Sequence, residues 1–277
     1  MQDTKHDHIR QQVRIAYAQV AQTGSSCCAT APAQSGGCCA PSEQSVAELL
    51  SRGIGYSAEE LAAAPEGANL GLGCGNPQAI AALKPGETVV DLGSGGGFDC
   101  FLAVGEVGRS GQVIGVDMTP EMVSKARANA LKGQYENVEF RLGEIEHLPI
   151  ADGAADVVIS NCVINLSPDK PQVFREAWRV LKAGGRLAIS DVVATAPLPE
   201  DMRNDAALVT GCMGNASLIA DLEAMMRAAG FEQIRIQPKD ESKTFIEDWA
   251  PGRKVTDFVV SATIEAIKPG TTPSHLS

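Results

Sequence analysis

The run from Thr88 to Gly97, TVVDLGSGGG, does most to narrow what this chain can fold into. A short β-branched segment ends abruptly in glycines, and the residues after Gly97 read as a helix. β-branched residues suit a buried strand. Glycines at a strand-to-helix turn let the backbone bend sharply and approach a ligand closely. The same rhythm then recurs. QVIGVDM reads as a second strand, and Thr119-Pro120 opens a second helix. NVEFRLG is a third strand, ADVVISNCVI a fourth, PQVFREAWRVL a helix, and GRLAISDVV a fifth strand. Alternation of this kind predicts an α/β fold, a doubly wound and mostly parallel sheet with helices on both faces. An insertion from Pro197 to Ser217 follows. The helix LIADLEAMMRAAG and the strands EQIRIQPK and DFVVSATIEAI then form a small C-terminal α+β extension. The sequence has no internal repeat.

On the N-terminal side, Ile9, Val13, Ala16, Tyr17 and Val20 share one face of a helix that Gly24 stops. Residues 25–42 are rich in Ala, Ser, Gly, Pro and Cys and read as a lid carrying Cys27, Cys28, Cys38 and Cys39. Ser45 with Glu48, and Ser57 with Glu60, have the spacing of capping boxes. Asn76 caps a further helix with Pro77 at its first position. Three segments are expected: a helical, Cys-rich lid over 1–75, a core over 76–195, and a cap region over 196–277.

The net charge of -11 and the lack of a basic stripe argue against a nucleic-acid partner. Acidity also disfavours an anionic membrane surface, and no apolar run is long enough to cross a bilayer. The polar start, MQDTKHDHIRQQ, lacks the apolar core of a secretory signal, so a cytoplasmic location is expected. In that reducing setting the eight cysteines point to metal binding or catalysis before structural disulfides.

In a doubly wound sheet, ligands bind beyond the carboxyl ends of the strands, at the switch point. DLGSGGG departs from the dinucleotide pattern GxGxxG. It resembles motif I of the class I S-adenosylmethionine-dependent methyltransferases. Asp117, at the end of the second strand, can accept hydrogen bonds from both ribose hydroxyls, and Met118 can pack on the adenine. GEIEHLP resembles the segment beside the adenine in that class. DGAADVVISN and RVLKAGGRL complete its usual order, so the resemblance covers about residues 88–193. It implies S-adenosylmethionine as cofactor. The contacts expected are Asp91, Gly93, Ser94, Gly95, Gly97, Asp117, Met118, Glu144, Ile145 and Asn161. Asp156 reads equally well as a strand cap.

The acceptor is read from cysteines. Cys162 stands at the carboxyl end of the fourth strand, Cys212 in the insertion (TGCMGNA), and Cys74 just before the core (GLGCGNP). Three loops can thus present a thiol each to one mouth of the sheet. No CxxC spacing exists, which disfavours a zinc ribbon or finger. Three thiolates are a soft ligand set, suited to a metalloid such as arsenic(III). Its remaining lone pair could attack a sulfonium methyl with no general base, because no proton leaves the attacking atom. Depressed thiol pKa values are expected to favour loading. A methyltransferase of a small organic substrate would more often show a His or acidic base. A non-enzymatic metalloid-binding protein would not need the donor motifs.

SNCVINL-x-PDK, GCG and GCMGNA, together with VRIAYAQV and FVVSATIEA near the two ends, resemble the arsenite S-adenosylmethionine methyltransferases of bacterial type. The resemblance implies that Cys74, Cys162 and Cys212 bind arsenic. It also implies that an N-terminal cysteine joins a disulfide redox cycle with them. Cys27 or Cys28 matches that role by distance from the first helix, while Cys38 and Cys39 have no clear counterpart and stay as candidates. The implied substrate is arsenite or its glutathione conjugate, the implied reductant glutathione or thioredoxin, and a monomer is expected. Cys100, His6, His8, His147, Trp178 and Trp249 read as packing or surface residues.

Overall fold

The computed structural model describes residues 2–24 and 45–270. Seven strands form one sheet in the order β3-β2-β1-β4-β5-β7-β6. They are β1 (Thr88–Leu92), β2 (Gln112–Asp117), β3 (Val138–Leu142), β4 (Ala155–Asn161), β5 (Leu181–Ala194), β6 (Glu232–Lys239) and β7 (Val259–Ile267). The first five pair in parallel. β7 lies antiparallel to both β5 and β6, so the last two strands complete the core's own sheet. The chain moves outward from β1 to β2 and β3, then returns to build β4 and β5 on the other side. The switch point therefore falls between β1 and β4, where a crevice opens at the strands' carboxyl ends.

Eleven α-helices surround the sheet among the described residues. α1 (Gln2–Thr23), α2 (Val46–Gly53), α3 (Ala58–Ala63) and α4 (Gln78–Ala81) precede it. α5 (Phe98–Val107), α6 (Pro120–Lys132) and α7 (Lys170–Val180) connect its strands. α8 (Glu200–Arg203), α9 (Ala206–Thr210), α10 (Ile219–Ala229) and α11 (Lys243–Trp249) follow β5. Both expected capping boxes are formed, at Ser45–Glu48 and Ser57–Glu60. Asn76 Oδ1 accepts from the amides of Gln78 and Ala79, which caps the short α4.

Strand alternation explains the two layers. Val89, Val113, Val157 and Ile159 face α5 and α6. Val90, Leu92, Ile114, Val116 and Val158 face α7 and α10. A sheet buried on both faces needs nearly continuous apolar strands, which is why TVV, VIGV and VVIS lack the polar alternation of a half-exposed sheet. A third cluster closes the carboxyl end of the sheet. It joins Val13 of α1, Ile246 of α11 and Leu208 of α9 to Cys74, Cys162 and Cys212. Two features exceed the expectation from sequence. β5 starts at Leu181, directly after α7. The stretch between β6 and β7 contains α11, which brings Trp249 to the crevice.

Candidate active site

The glycine turn after β1 lies along a crevice of about 260 Å³. Gly93 has φ +72, and a Cβ there would fall 2.4 Å from a methyl of Val163. Glycine is thus required for close packing as well as for left-handed backbone. A Cβ on Gly95 would meet nothing within 4 Å, because that backbone faces the open crevice. Asp117, at the end of β2, accepts from the Gly95 amide at 2.9 Å through Oδ2 and from the Thr119 amide at 2.8 Å through Oδ1. Each oxygen keeps lone-pair capacity for a ligand. Ser94 Oγ is buried without a hydrogen-bond partner among the described residues. Met118, Ile145 and Asn161 also line the crevice.

Beneath the turn lies a buried acidic network. Cys100, fully buried in α5, donates its thiol to Asp91 Oδ2 at 3.2 Å. Tyr56 donates to Asp99 Oδ1 at 2.7 Å, and Asn161 Nδ2 donates to Asp99 Oδ2, to Tyr56 and to the Gly75 carbonyl. Burial pushes the Asp99 carboxyl up to about 6. Burial, then the neighbouring Asp99 charge, holds Asp91 well above the usual carboxylate range. Burial also raises Asp117. An open glycine backbone, an unpaired hydroxyl and buried carboxyls fit a hydroxylated nucleoside that carries a positive charge, as S-adenosylmethionine does.

The three cysteines converge beside this crevice. Cys162 follows β4, and its amide donates to the Ser190 carbonyl at 2.8 Å. Cys74 is held by Asn161, whose Oδ1 accepts the Cys74 amide at 3.0 Å. Ser261 Oγ donates to the Cys74 carbonyl at 2.6 Å. Cys212 follows α9, and its sulfur meets the Cys162 carbonyl at 2.6 Å. All three are buried, and Cys162 and Cys212 line the crevice itself. Cys162 (φ +59) and Cys212 (φ +65) both adopt the left-handed conformation that side chains avoid. The Cys162 thiol donates toward the sulfurs of Cys212 and Cys74, and these hydrogen bonds, then burial, push it well up. This reverses the expected depression. Burial among apolar side chains disfavours the charged thiolate at Cys162.

Polar residues that were not legible in the sequence brace these loops. Asp191, 2% exposed, accepts from Ile164 N (2.8 Å) on Oδ2, and from Asn165 Nδ2 (2.9 Å) and Val192 N (2.7 Å) on Oδ1. Lys170, 6% exposed, donates to the Asn215 carbonyl and to Ser217 Oγ. Burial lowers its pKa to about 8. Asn215 Nδ2 bridges the carbonyls of Asn165 and Ser167, which joins the Cys212 loop to the Cys162 loop. Lys170 belongs to the PDK motif and Asp191 lies in the carboxyl-terminal part of β5, so position was the available signal for each. Neither the burial nor the partners could be read locally.

Two residues expected at the donor site, Glu144 and Gly97, are not among those that line the crevice. Glu144 does not line the crevice, and its carboxylate pairs with Arg10 and Arg14 of α1. Glu146 lines it instead, held by Ser167 Oγ at 2.6 Å and by Arg10 at 3.2 Å. Gly97 caps α5 at φ +91, and a Cβ there would strike Phe140 and Phe101, so its role is helix packing. Cys27, Cys28, Cys38 and Cys39 lie outside the described residues. His147 is exposed, and Trp178 packs under Lys268 Nζ at 3.8 Å. Asp156 accepts from Thr88 N and pairs with Lys182, which is a strand-end role. No helix among the described residues is long and apolar enough to cross a membrane.

Residues 83–230 match the methyltransferase domain family. The chain is 56% identical over 270 residues to an arsenite methyltransferase of Halobacterium salinarum, covering 96% of this chain and 68% of that protein. It is 44% identical over 204 residues to an arsenite methyltransferase of Aquipseudomonas alcaligenes, covering 71% of this chain and 58% of that relative. The chain thus spans about two thirds of the first relative's length and less of the second. Its fold resembles the crystal structure of an arsenic(III) S-adenosylmethionine methyltransferase from Chlamydomonas reinhardtii. That match has a TM-score of 0.60 and 31% identity, and covers 82% of this chain and 75% of the other.

Proposed function

The chain belongs to the arsenite methyltransferase family, and from that premise we propose that it transfers methyl groups from S-adenosylmethionine to trivalent arsenic held by Cys74, Cys162 and Cys212. The observation that supports this reading is the clustering of three buried thiols beside the glycine-lined crevice, two of them lining it. When bound there, S-adenosylmethionine supplies an electrophilic methyl group. Asp117 would hold the ribose, Met118 and Ile145 would flank the adenine, and Asp91 and Asp99 would face the cationic end.

Loading needs no ionised thiol in advance. Each Cys–SH can exchange with one hydroxyl of arsenous acid, forming an As–S bond and releasing water. The raised pKa of the Cys162 thiol is compatible with that exchange. Three sulfurs leave the arsenic one lone pair, which becomes the bond to the incoming methyl. No proton departs, so positioning is the protein's main contribution. Asn161 is suited to it, because it clasps the Cys74 loop, touches Asp99 and immediately precedes Cys162. Methylation formally oxidises As(III) to As(V). We propose that an N-terminal cysteine (Cys27, Cys28, Cys38 or Cys39) and an external thiol such as glutathione or thioredoxin restore the trivalent state. We expect a reducing, cytoplasmic setting. The three sequence segments would divide the work: 1–75 covers the crevice, 76–195 holds the donor, and 196–277 supplies Cys212. We expect the protein to act as a monomer.

The test is to incubate the protein with arsenite, thiol and methyl-labelled donor, then separate arsenic species by chromatography. Methylated arsenic is expected. Cys74→Ser, Cys162→Ser and Cys212→Ser should each abolish it, and full turnover in any of them would refute the three-thiol site.

A further inference from the structure

We propose that Cys74, Cys162 and Asp191 form a second ligand set, overlapping the arsenic site, for a divalent cation of borderline softness such as Zn²⁺ or Cd²⁺. One ligand atom from each of the three lies within 4.8 Å of the others, and all three residues are buried. Neighbouring ligands of a tetrahedral zinc–thiolate centre sit about 3.8 Å apart, so a small side-chain contraction would enclose an ion. Asp191 is free to coordinate. Its Oδ1 already accepts two hydrogen bonds, whereas Oδ2 accepts only the amide of Ile164 and keeps a lone pair. Cys212 is not part of this three-ligand set, although its sulfur lies against the Cys162 carbonyl.

The two sets differ in hardness. Trivalent arsenic is satisfied by three sulfurs and has no call for a carboxylate. Zn²⁺ and Cd²⁺ accept sulfur and oxygen together, with water in a remaining position. Binding would release the two thiol protons to solvent. Two thiolates and a carboxylate carry three negative charges against two on the ion. The buried Lys170 ammonium, which interacts electrostatically with Asp191, helps to offset the excess. Because Cys74 and Cys162 are shared, a bound ion would exclude arsenite and act as a competitive brake. The ion site does not depend on the proposed methyl transfer.

The full-length reduced protein is titrated with Zn²⁺ against a chromophoric chelator. The N-terminal cysteines are unchanged in every variant, so differences report this site. Asp191→Asn should weaken Zn²⁺ by at least about tenfold, the loss that even outer-shell partners of a metal can cause. Cys212→Ser should change it by less than about threefold on the same scale. Unaltered Zn²⁺ affinity in Asp191→Asn, or an equal loss in Cys212→Ser, would overturn the assignment. Because Asp191 also braces the Cys162 loop, a crystal structure of the Zn²⁺-loaded wild type separates direct coordination from loss of that brace, and it decides as well if Asp191→Asn does not fold. An Asp191 oxygen within about 2.2 Å of the ion supports the site, and an ion held by sulfur alone refutes it. Arsenite binding, followed in parallel, bears on the proposed function alone.

Discussion

Cys162 and Cys212 carry left-handed backbone that costs an ordinary side chain about 1–2 kcal/mol. The cost is sustained because Asp191, Asn165, Lys170 and Asn215 fix the loops on either side. Cys162→Gly should therefore lose methylation yet unfold in urea with about 1 kcal/mol more stability than Cys162→Ala. Equal stabilities would mean that the turn is unstrained. Asp99 offers a second residue-scale outcome. Its carboxyl is raised to about 6 by burial, in contact with Tyr56 and Asn161 and near Asp91. The anionic form attracts a cationic donor. As pH falls through 6, protonation removes that attraction, so donor affinity should decline from pH 7 to pH 5, approaching tenfold per unit at the acid end. Calorimetric titration checks this, and Asp99→Asn should flatten the profile.

At the scale of elements, the loop from Gly211 to Ser217 depends on α7 for its shape. Lys170 opens that helix and reaches across to the Asn215 carbonyl and the Ser217 hydroxyl. Lys170→Met would leave the carbonyl without its donor, at a cost of about 1–3 kcal/mol. Arsenite binding should then fall much more than donor binding, because Cys212 rides on this loop while the glycine turn does not. Parallel calorimetric titrations with arsenite and S-adenosylhomocysteine would separate the two effects. Equal losses would place the fault in the sheet as a whole.

Across the whole molecule, α1 acts as a cover. Val13 and Val20 are buried, Arg10 pairs with Glu144 and Glu146, and Tyr17 donates to the Thr210 carbonyl. The two clusters that hold the sheet contain no residue of α1. Deleting residues 1–24 should leave the far-ultraviolet dichroism of the sheet in place. Donor binding should weaken and alkylation of Cys162 should accelerate, read by mass spectrometry of the labelled peptide. Unfolding of the sheet would show that α1 is structural support.

Much of this was legible in one dimension. The run TVVDLGSGGG, the strand–helix alternation and Asp117 at a strand end depend on local periodicity and turn chemistry, which neighbouring residues settle among themselves. Motif order likewise exposed Cys162 at the end of β4. What only the folded chain decided is who meets whom. Glu144 and Glu146 are two residues apart and both pair with Arg10 of α1, more than a hundred residues away, yet of the two it is Glu146 that lines the crevice. The raised pKa of Cys162, the clasp of Asn161 on Cys74, and Asp191 beside Cys74 and Cys162 depend on burial and long-range contact. Desolvation and hydrogen-bond geometry are set by the packed environment, and residue order along the chain does not encode them locally.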